Sequence, residues 1–203
     1  MRIVGGRHRG RRLLAPAGEA VRPTSDRARE ALFNILSHGR FAAAGIPFAG
    51  AAVLDAFAGT GALGLEALSR GAADAVFIEK APEAIAVLRR NVASLGESAH
   101  AEIVPGDATR PPRARFECRV AFVDPPYRSG LSAPALEALD RAGWFAPDAL
   151  AVVELGAREE FVPPAGFTLL DERVYGAARL VFLRRDATLG SKLDTTPRSG
   201  ALR

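Results

Sequence analysis

Ala52-Val53-Leu54-Asp55-Ala56-Phe57-Ala58-Gly59-Thr60-Gly61-Ala62-Leu63-Gly64 reads as an apolar strand, an acid at its end, a glycine turn and the start of a helix. The helix is predicted to run to Arg70, with Gly71 as its C-cap. Gly59 and Gly61 allow a tight turn and a close backbone approach to a ligand. Outward from this unit the pattern alternates. Strands are predicted near 52–55, 75–79, 101–105, 119–123 and 149–154, and helices near 62–70, 82–95 and 132–143. Pro82 suits the first turn of the second helix and Gly96 its C-cap. Alternation of this kind predicts a parallel sheet with helices on both faces. Two further runs, about 167–174 and 178–184, flank Tyr175-Gly176-Ala177 and predict a closing hairpin. The expected fold is α/β and Rossmann-like, with seven strands.

Before this unit lies a basic extension. Short strands are predicted near Arg2–Val4 and Arg11–Leu14, joined through Gly5-Gly6. Thr24 or Ser25 suits the N-cap of a helix to about Ser37, with Ala28, Ala31, Leu32, Ile35 and Leu36 on its apolar face and Arg27, Arg29 and Glu30 elsewhere. A linker from Gly39 to Gly50 leads into the sheet. Three segments are expected: the extension at 1–40, the main domain at 41–185 and a polar, disordered tail at 186–203.

The net charge of +4 is unevenly spread, since residues 1–40 hold nine arginines against three acids. A basic arm on a near-neutral domain points to a polyanion, and Arg7, Arg9 and Arg11 are the candidate phosphate contacts. A solvated surface rich in arginine is the plainer reading. There is no apolar run long enough for a membrane span and no secretory h-region at Met1–Arg7. One cysteine, Cys118, leaves no internal disulfide, and His8, His38 and His100 are too scattered to make a metal site with it. A cytoplasmic protein, without metal and monomeric, is expected.

Three acids close three successive predicted strands: Asp55, Glu79 after Ala75-Val76-Phe77-Ile78, and Asp107 after Ile103-Val104-Pro105-Gly106. Gly59-x-Gly61-x-x-Gly64 with Glu79 about 20 residues on also fits a dinucleotide fingerprint, which leaves a nicotinamide oxidoreductase as a rival. A carboxylate at Asp55 suits a cationic ligand better than a pyrophosphate. S-adenosylmethionine, with a sulfonium, an ammonium and a ribose, matches this set. Asp55 is then expected near its amino-acid end, Glu79 at the ribose hydroxyls and Asp107 near the adenine amine.

Asp124-Pro125-Pro126-Tyr127 follows the buried strand Val120-Ala121-Phe122-Val123, where open α/β sheets place ligand chemistry. An exocyclic amine on a base is a poor nucleophile, and two acceptors aimed at its N–H bonds can hold it as positive charge develops. Asp124 offers one acceptor and the Pro125 carbonyl a second. Tyr127 offers a ring on which an unpaired base can stack. In isolation such a tetrapeptide also suits a turn in which Pro-Pro merely ends a strand.

Together these stretches resemble the RsmD family of class I S-adenosylmethionine-dependent methyltransferases. The likeness is carried by Arg2-Ile3-Val4-Gly5-Gly6, Arg9-Gly10-Arg11, Arg22-Pro23-Thr24-Ser25-Asp26-Arg27, Arg29-Glu30, Leu32-Phe33-Asn34, the block from Asp55 to Arg70, and Val123 to Tyr127. It covers about residues 1–185; the N-terminal motifs are the more specific ones. The resemblance implies the seven-stranded methyltransferase sheet and methylation of guanine N2 in 16S ribosomal RNA of the small subunit, at the guanine-966 type of site. It implies catalytic roles for Asp124, Pro125, Pro126 and Tyr127, and cofactor contacts from Asp55, Phe57, Gly59, Gly61, Glu79, Asp107 and Ala108. It implies RNA contacts from Arg7, Arg9, Arg11, Arg22, Thr24 and Arg27. The partner implied is 16S rRNA within the small subunit or a late assembly intermediate. Amino-methylation of DNA adenine or cytosine, of a protein glutamine, and a non-catalytic RNA-binding role are the alternatives.

Overall fold

The computed structural model describes residues 1–15, 26–43 and 47–187. The chain runs α1 (Asp26–Ser37), a short 3-10 turn (Gly39–Ala42), β1 (Ala52–Ala56), α2 (Ala62–Ser69), β2 (Asp74–Glu79), α3 (Pro82–Leu95), β3 (Ala101–Pro105), β4 (Cys118–Val123), α4 (Ser132–Arg141), β5 (Phe145–Gly156), β6 (Phe167–Tyr175) and β7 (Ala178–Arg185). The strands form one sheet in the order β3-β2-β1-β4-β5-β7-β6. β1 to β5 pair in parallel, and β7 pairs antiparallel with both β5 and β6. This is the expected seven-stranded Rossmann-like sheet.

Strands β1, β2 and β4 are mostly apolar, with runs such as Ala75-Val76-Phe77-Ile78 and Val120-Ala121-Phe122-Val123 buried because both faces are covered. One face packs α1, α2 and α3 through Phe33, Leu65, Leu88 and Val92 onto Val53, Phe77, Phe122 and Val152. The other packs α4 through Leu136 and Leu139 onto Leu54, Ile78, Val123 and Val153. The strand order reverses between β1 and β4, so a crevice opens at their C-terminal ends, the usual ligand position in such sheets.

Four expectations are corrected. β5 begins at Phe145, before the predicted start at 149, and its register shifts between Cys118 and Val120 of β4. The two N-terminal strands reduce to a single bridge between Arg2 and Arg12. A 3-10 turn occupies part of the predicted linker. Arg29, placed off the apolar face, is completely buried. Its guanidinium donates to the Arg2 carbonyl and to Asp26 (2.9 Å), and Glu66 lies 3.7 Å away. A buried guanidinium is tolerated only when paired. The proposed helix cap at Thr24 or Ser25 lies outside the described residues, as does the tail beyond 187.

The arm is fastened to the domain by its backbone. Arg7 N–H donates to the Ser69 carbonyl (2.8 Å), His8 N–H to Ser69 Oγ (2.9 Å) and Val4 N–H to Glu66 (2.8 Å). Ile3 and Leu13 join the same core as α1 and β1. Buried Asn91 of α3 accepts from Leu14 N–H (2.8 Å) and donates to the carbonyls of Leu14 and Thr60 (3.2 and 3.0 Å).

Candidate active site

Where β1 ends, Phe57 adopts a left-handed backbone (φ 63°), a costly conformation for a side chain of this size. It swings the chain out so that the glycine turn can fold back. Asp55, 2% exposed, accepts the Gly64 N–H at 2.8 Å and so ties the strand end to the first turn of α2. Burial pushes its carboxyl up to about 7; the nearby Glu79 adds to this, and the hydrogen bonds from Gly64 and Leu63 only partly oppose it. Glu79 accepts Gly59 N–H at 2.8 Å with one oxygen and the Lys80 and Ala81 N–H groups at 2.8 Å with the other. The turn is therefore clamped between two carboxylates.

The glycines divide the work. A Cβ on Gly59 would meet only one atom, 4.0 Å away, so this position faces open space. One on Gly61 (φ 82°) would strike Leu88 at 2.3 Å, and one on Gly64 would strike Phe77 at 2.4 Å. Gly59 leaves room above the turn, whereas Gly61 and Gly64 let α2 sit close against β2 and α3.

Above the turn is a cavity of about 420 Å³. Asp55, Phe57, Gly59, Glu79 and Ala108 line it from the cofactor set, and Asp124, Pro125, Pro126 and Tyr127 line it from the β4 loop. Two members of the cofactor set do not reach its wall. Gly61 lies beneath the turn. Asp107 is flanked by the lining residues Gly106 and Ala108, but its own carboxylate accepts Thr109 Oγ1 (2.7 Å) and N–H (2.9 Å). Those bonds, with Lys80 at 3.7 Å, hold the Asp107 carboxyl below its usual range.

The β4 loop is anchored to the sheet by Asp124 N–H donating to the Ala56 carbonyl (3.4 Å). Pro125 is buried, and Pro126 and Tyr127 are exposed. Tyr127 donates its hydroxyl to Glu154 at 2.7 Å. Glu154 is buried at the end of β5 and lines the cavity with Met1, Thr60 and Lys80. None of these four was picked out from the sequence. Glu154 had a signal, an acid closing the apolar run Leu150-Ala151-Val152-Val153, of the same kind that marked Asp55 and Glu79.

The basic residues separate into two groups. Arg7 chelates buried Glu97 (2.6 and 2.8 Å), and His8 meets the same carboxylate. Burial pushes the Glu97 carboxyl up, but the bonds and charges of Arg7 and His8 outweigh it and hold the group low. Arg11 reaches the Ser94 carbonyl (2.5 Å), while Arg9 and Arg27 are exposed. Arg22 and Thr24 lie outside the described residues. Burial pushes the Cys118 thiol up to about 12, with Glu102 adding to it, so it is no nucleophile. Among the described residues no cluster of His, Cys, Asp and Glu is arranged to hold a metal, and no helix is long and apolar enough to cross a membrane.

The family model described as Conserved hypothetical protein 95 matches residues 1–184. Ribosomal RNA small subunit methyltransferase D of Escherichia coli (strain K12) is 39% identical over 197 residues, spanning 96% of this chain and 94% of that protein. The protein of the same name from Haemophilus influenzae is 35% identical over 181 residues, spanning 87% and 89%. The solved structure of Escherichia coli yhhF aligns with a TM-score of 0.78 at 38% identity, over 92% of this chain and 98% of that one. With its crevice, clamped glycine turn and Asp-Pro-Pro-Tyr loop, this chain belongs to the Conserved hypothetical protein 95 family, the RsmD family of methyltransferases.

Proposed function

We propose that this protein transfers a methyl group from S-adenosylmethionine to the exocyclic N2 of a guanine in 16S rRNA of the small ribosomal subunit, at the guanine-966 type of site. One observation carries the reading: the glycine turn and the Asp124–Tyr127 loop face a single cavity of about 420 Å³. The named relatives, both small-subunit rRNA methyltransferases by name, support the substrate class. The cofactor fits the residues present. Gly59 leaves open space for it, and Asp55 and Glu79 offer carboxylates to its ammonium, sulfonium and ribose. When bound, it supplies an electrophilic methyl on a sulfonium whose leaving group is a neutral thioether.

The chain's own work is orientation and charge stabilisation. Asp124 accepts an N–H of the attacking amine and stabilises the positive charge that grows there. The Pro125 carbonyl is the second acceptor. Tyr127 stacks on the base, its ring set by the hydroxyl bond to Glu154. No covalent enzyme intermediate is required.

The test uses wild type and Asp124→Ala with radiolabelled S-adenosylmethionine and small subunits lacking the modification. After RNA digestion, N2-methylguanosine is expected from wild type alone, with cofactor affinity of the variant within about threefold, since the lost hydrogen bond is to the base. Wild-type turnover by Asp124→Ala would remove that residue from the mechanism. Label in another nucleoside, or none in RNA, would redirect the substrate assignment.

A further inference from the structure

We infer that Glu154 identifies the target base as guanine by accepting its N1–H while Asp124 holds N2. The inference rests on the guanine reading above and extends it to selectivity. β4 and β5 are parallel and in register at Val123 and Val153. One residue further come Asp124, just past the end of β4, and Glu154, near the end of β5. Both line the same cavity, and Glu154 is only 5% exposed.

Two carboxylates so placed match one edge of one base. Guanine presents N1–H and N2–H as adjacent donors on its Watson–Crick edge. Adenine presents a donor at N6 beside a bare lone pair at N1. A carboxylate facing that lone pair would lose its partner and be repelled. Tyr127 donates its hydroxyl to one oxygen of Glu154 at 2.7 Å. The bond to Tyr127 therefore fixes the acceptor in place: the residue that stacks on the base also aims the residue that reads its edge. The acid serves no evident packing purpose, because a neutral side chain would fill a buried strand end at lower desolvation cost.

The experiment uses small subunits reconstituted with rRNA carrying either guanosine or 2-aminopurine at the target position. 2-Aminopurine keeps the N2 amine but has a lone pair in place of N1–H. Wild type is expected to favour guanosine in kcat/KM by about 10- to 100-fold, the range of one lost base contact. Glu154→Gln, whose amide can accept from Tyr127 and donate to N1, is expected to cut that ratio at least about fivefold. Tyr127→Phe, which keeps the ring and loses the hydroxyl bond, slows both substrates and moves the ratio far less. If Glu154 merely braced Tyr127, Glu154→Gln would keep the brace and leave the guanosine preference at its wild-type value, and that result overturns the inference. Equal wild-type rates on both substrates overturn it without any variant. Label absent from guanine in wild type overturns the guanine reading itself, and the inference falls with it.

Discussion

Asp55 lies buried where β1 ends, and burial pushes its carboxyl from the ordinary 3.8 up to about 7. The native chain therefore holds this proton more tightly than the unfolded chain. Its stability contribution is fully favourable below about pH 4, declines as pH rises, and is lost above about pH 7. Asp55→Asn keeps an oxygen for the Gly64 N–H and removes the charge. In the ligand-free protein it should raise stability at pH 8 by on the order of 2–4 kcal/mol and leave it little changed at pH 4. Thermal melting across that range checks this. The same variant should weaken binding of the cationic cofactor by about 10- to 100-fold, the scale of a lost charge-assisted bond. A flat pH profile of the stability difference would show that Asp55 is not the titrating group. Much of the site was legible at this scale, because acids at the ends of apolar strands stand out. Asp107 was legible only in part: Asp-x-Thr is also a local turn pattern, and its carboxylate serves Thr109. Glu154 carries the same mark as Asp55 and Glu79, an acid after an apolar run, but its bond to Tyr127 is a tertiary contact that no local pattern shows.

α2 is one of the elements that join the arm to the domain, and its joint is a close approach of backbones. Gly6 has φ 72°, and a Cβ there would lie 1.9 Å from the Ser69 carbonyl oxygen. Gly6→Ala should therefore destabilise the protein by more than about 2 kcal/mol, from left-handed strain and displacement of the arm together. The denaturation midpoint checks it; an unchanged midpoint would mean that the arm is not docked in solution. None of this joint could be read locally, since Gly5-Gly6 and Ser69 are more than 60 positions apart. The alternating strands and helices could, because the central strands are buried on both faces and keep unbroken apolar runs through their middles. The early start of β5 was hidden by Pro147 and Asp148, which read as a break. The structure absorbs them with a left-handed Asp148 (φ 57°) and a shift of register. Arg29 looked like a surface residue until Glu66, on another helix, came beside it.

Across the whole molecule, the excess of arginine in the first 40 residues is not uniformly available to a polyanion. Arg7 is committed to Glu97, whereas Arg9 is exposed and Arg11 makes one carbonyl contact. Replacing Arg9 and Arg11 together by Gln should lower RNA affinity and reduce the slope of log affinity against log salt by up to about 2, one per phosphate contact. Melting should be nearly unchanged. Arg7→Gln should instead lower the melting temperature, because it leaves Glu97 buried with less compensation. A salt slope unaltered in the double variant would take the arm out of the RNA interface.

The eight-residue helix α2 spans about 12 Å. Its first turn is held by Asp55 under the cavity, and its last turn carries the arm on Ser69 and Glu66. It is thus a strut with a ligand site at one end and the basic loop at the other. Thermodynamic linkage makes any coupling through it reciprocal. Saturating S-adenosylhomocysteine should change RNA affinity by some factor, and saturating RNA should change S-adenosylhomocysteine affinity by that same factor. Two dissociation constants indifferent to the other ligand would show that the strut holds its ends apart without carrying work between them.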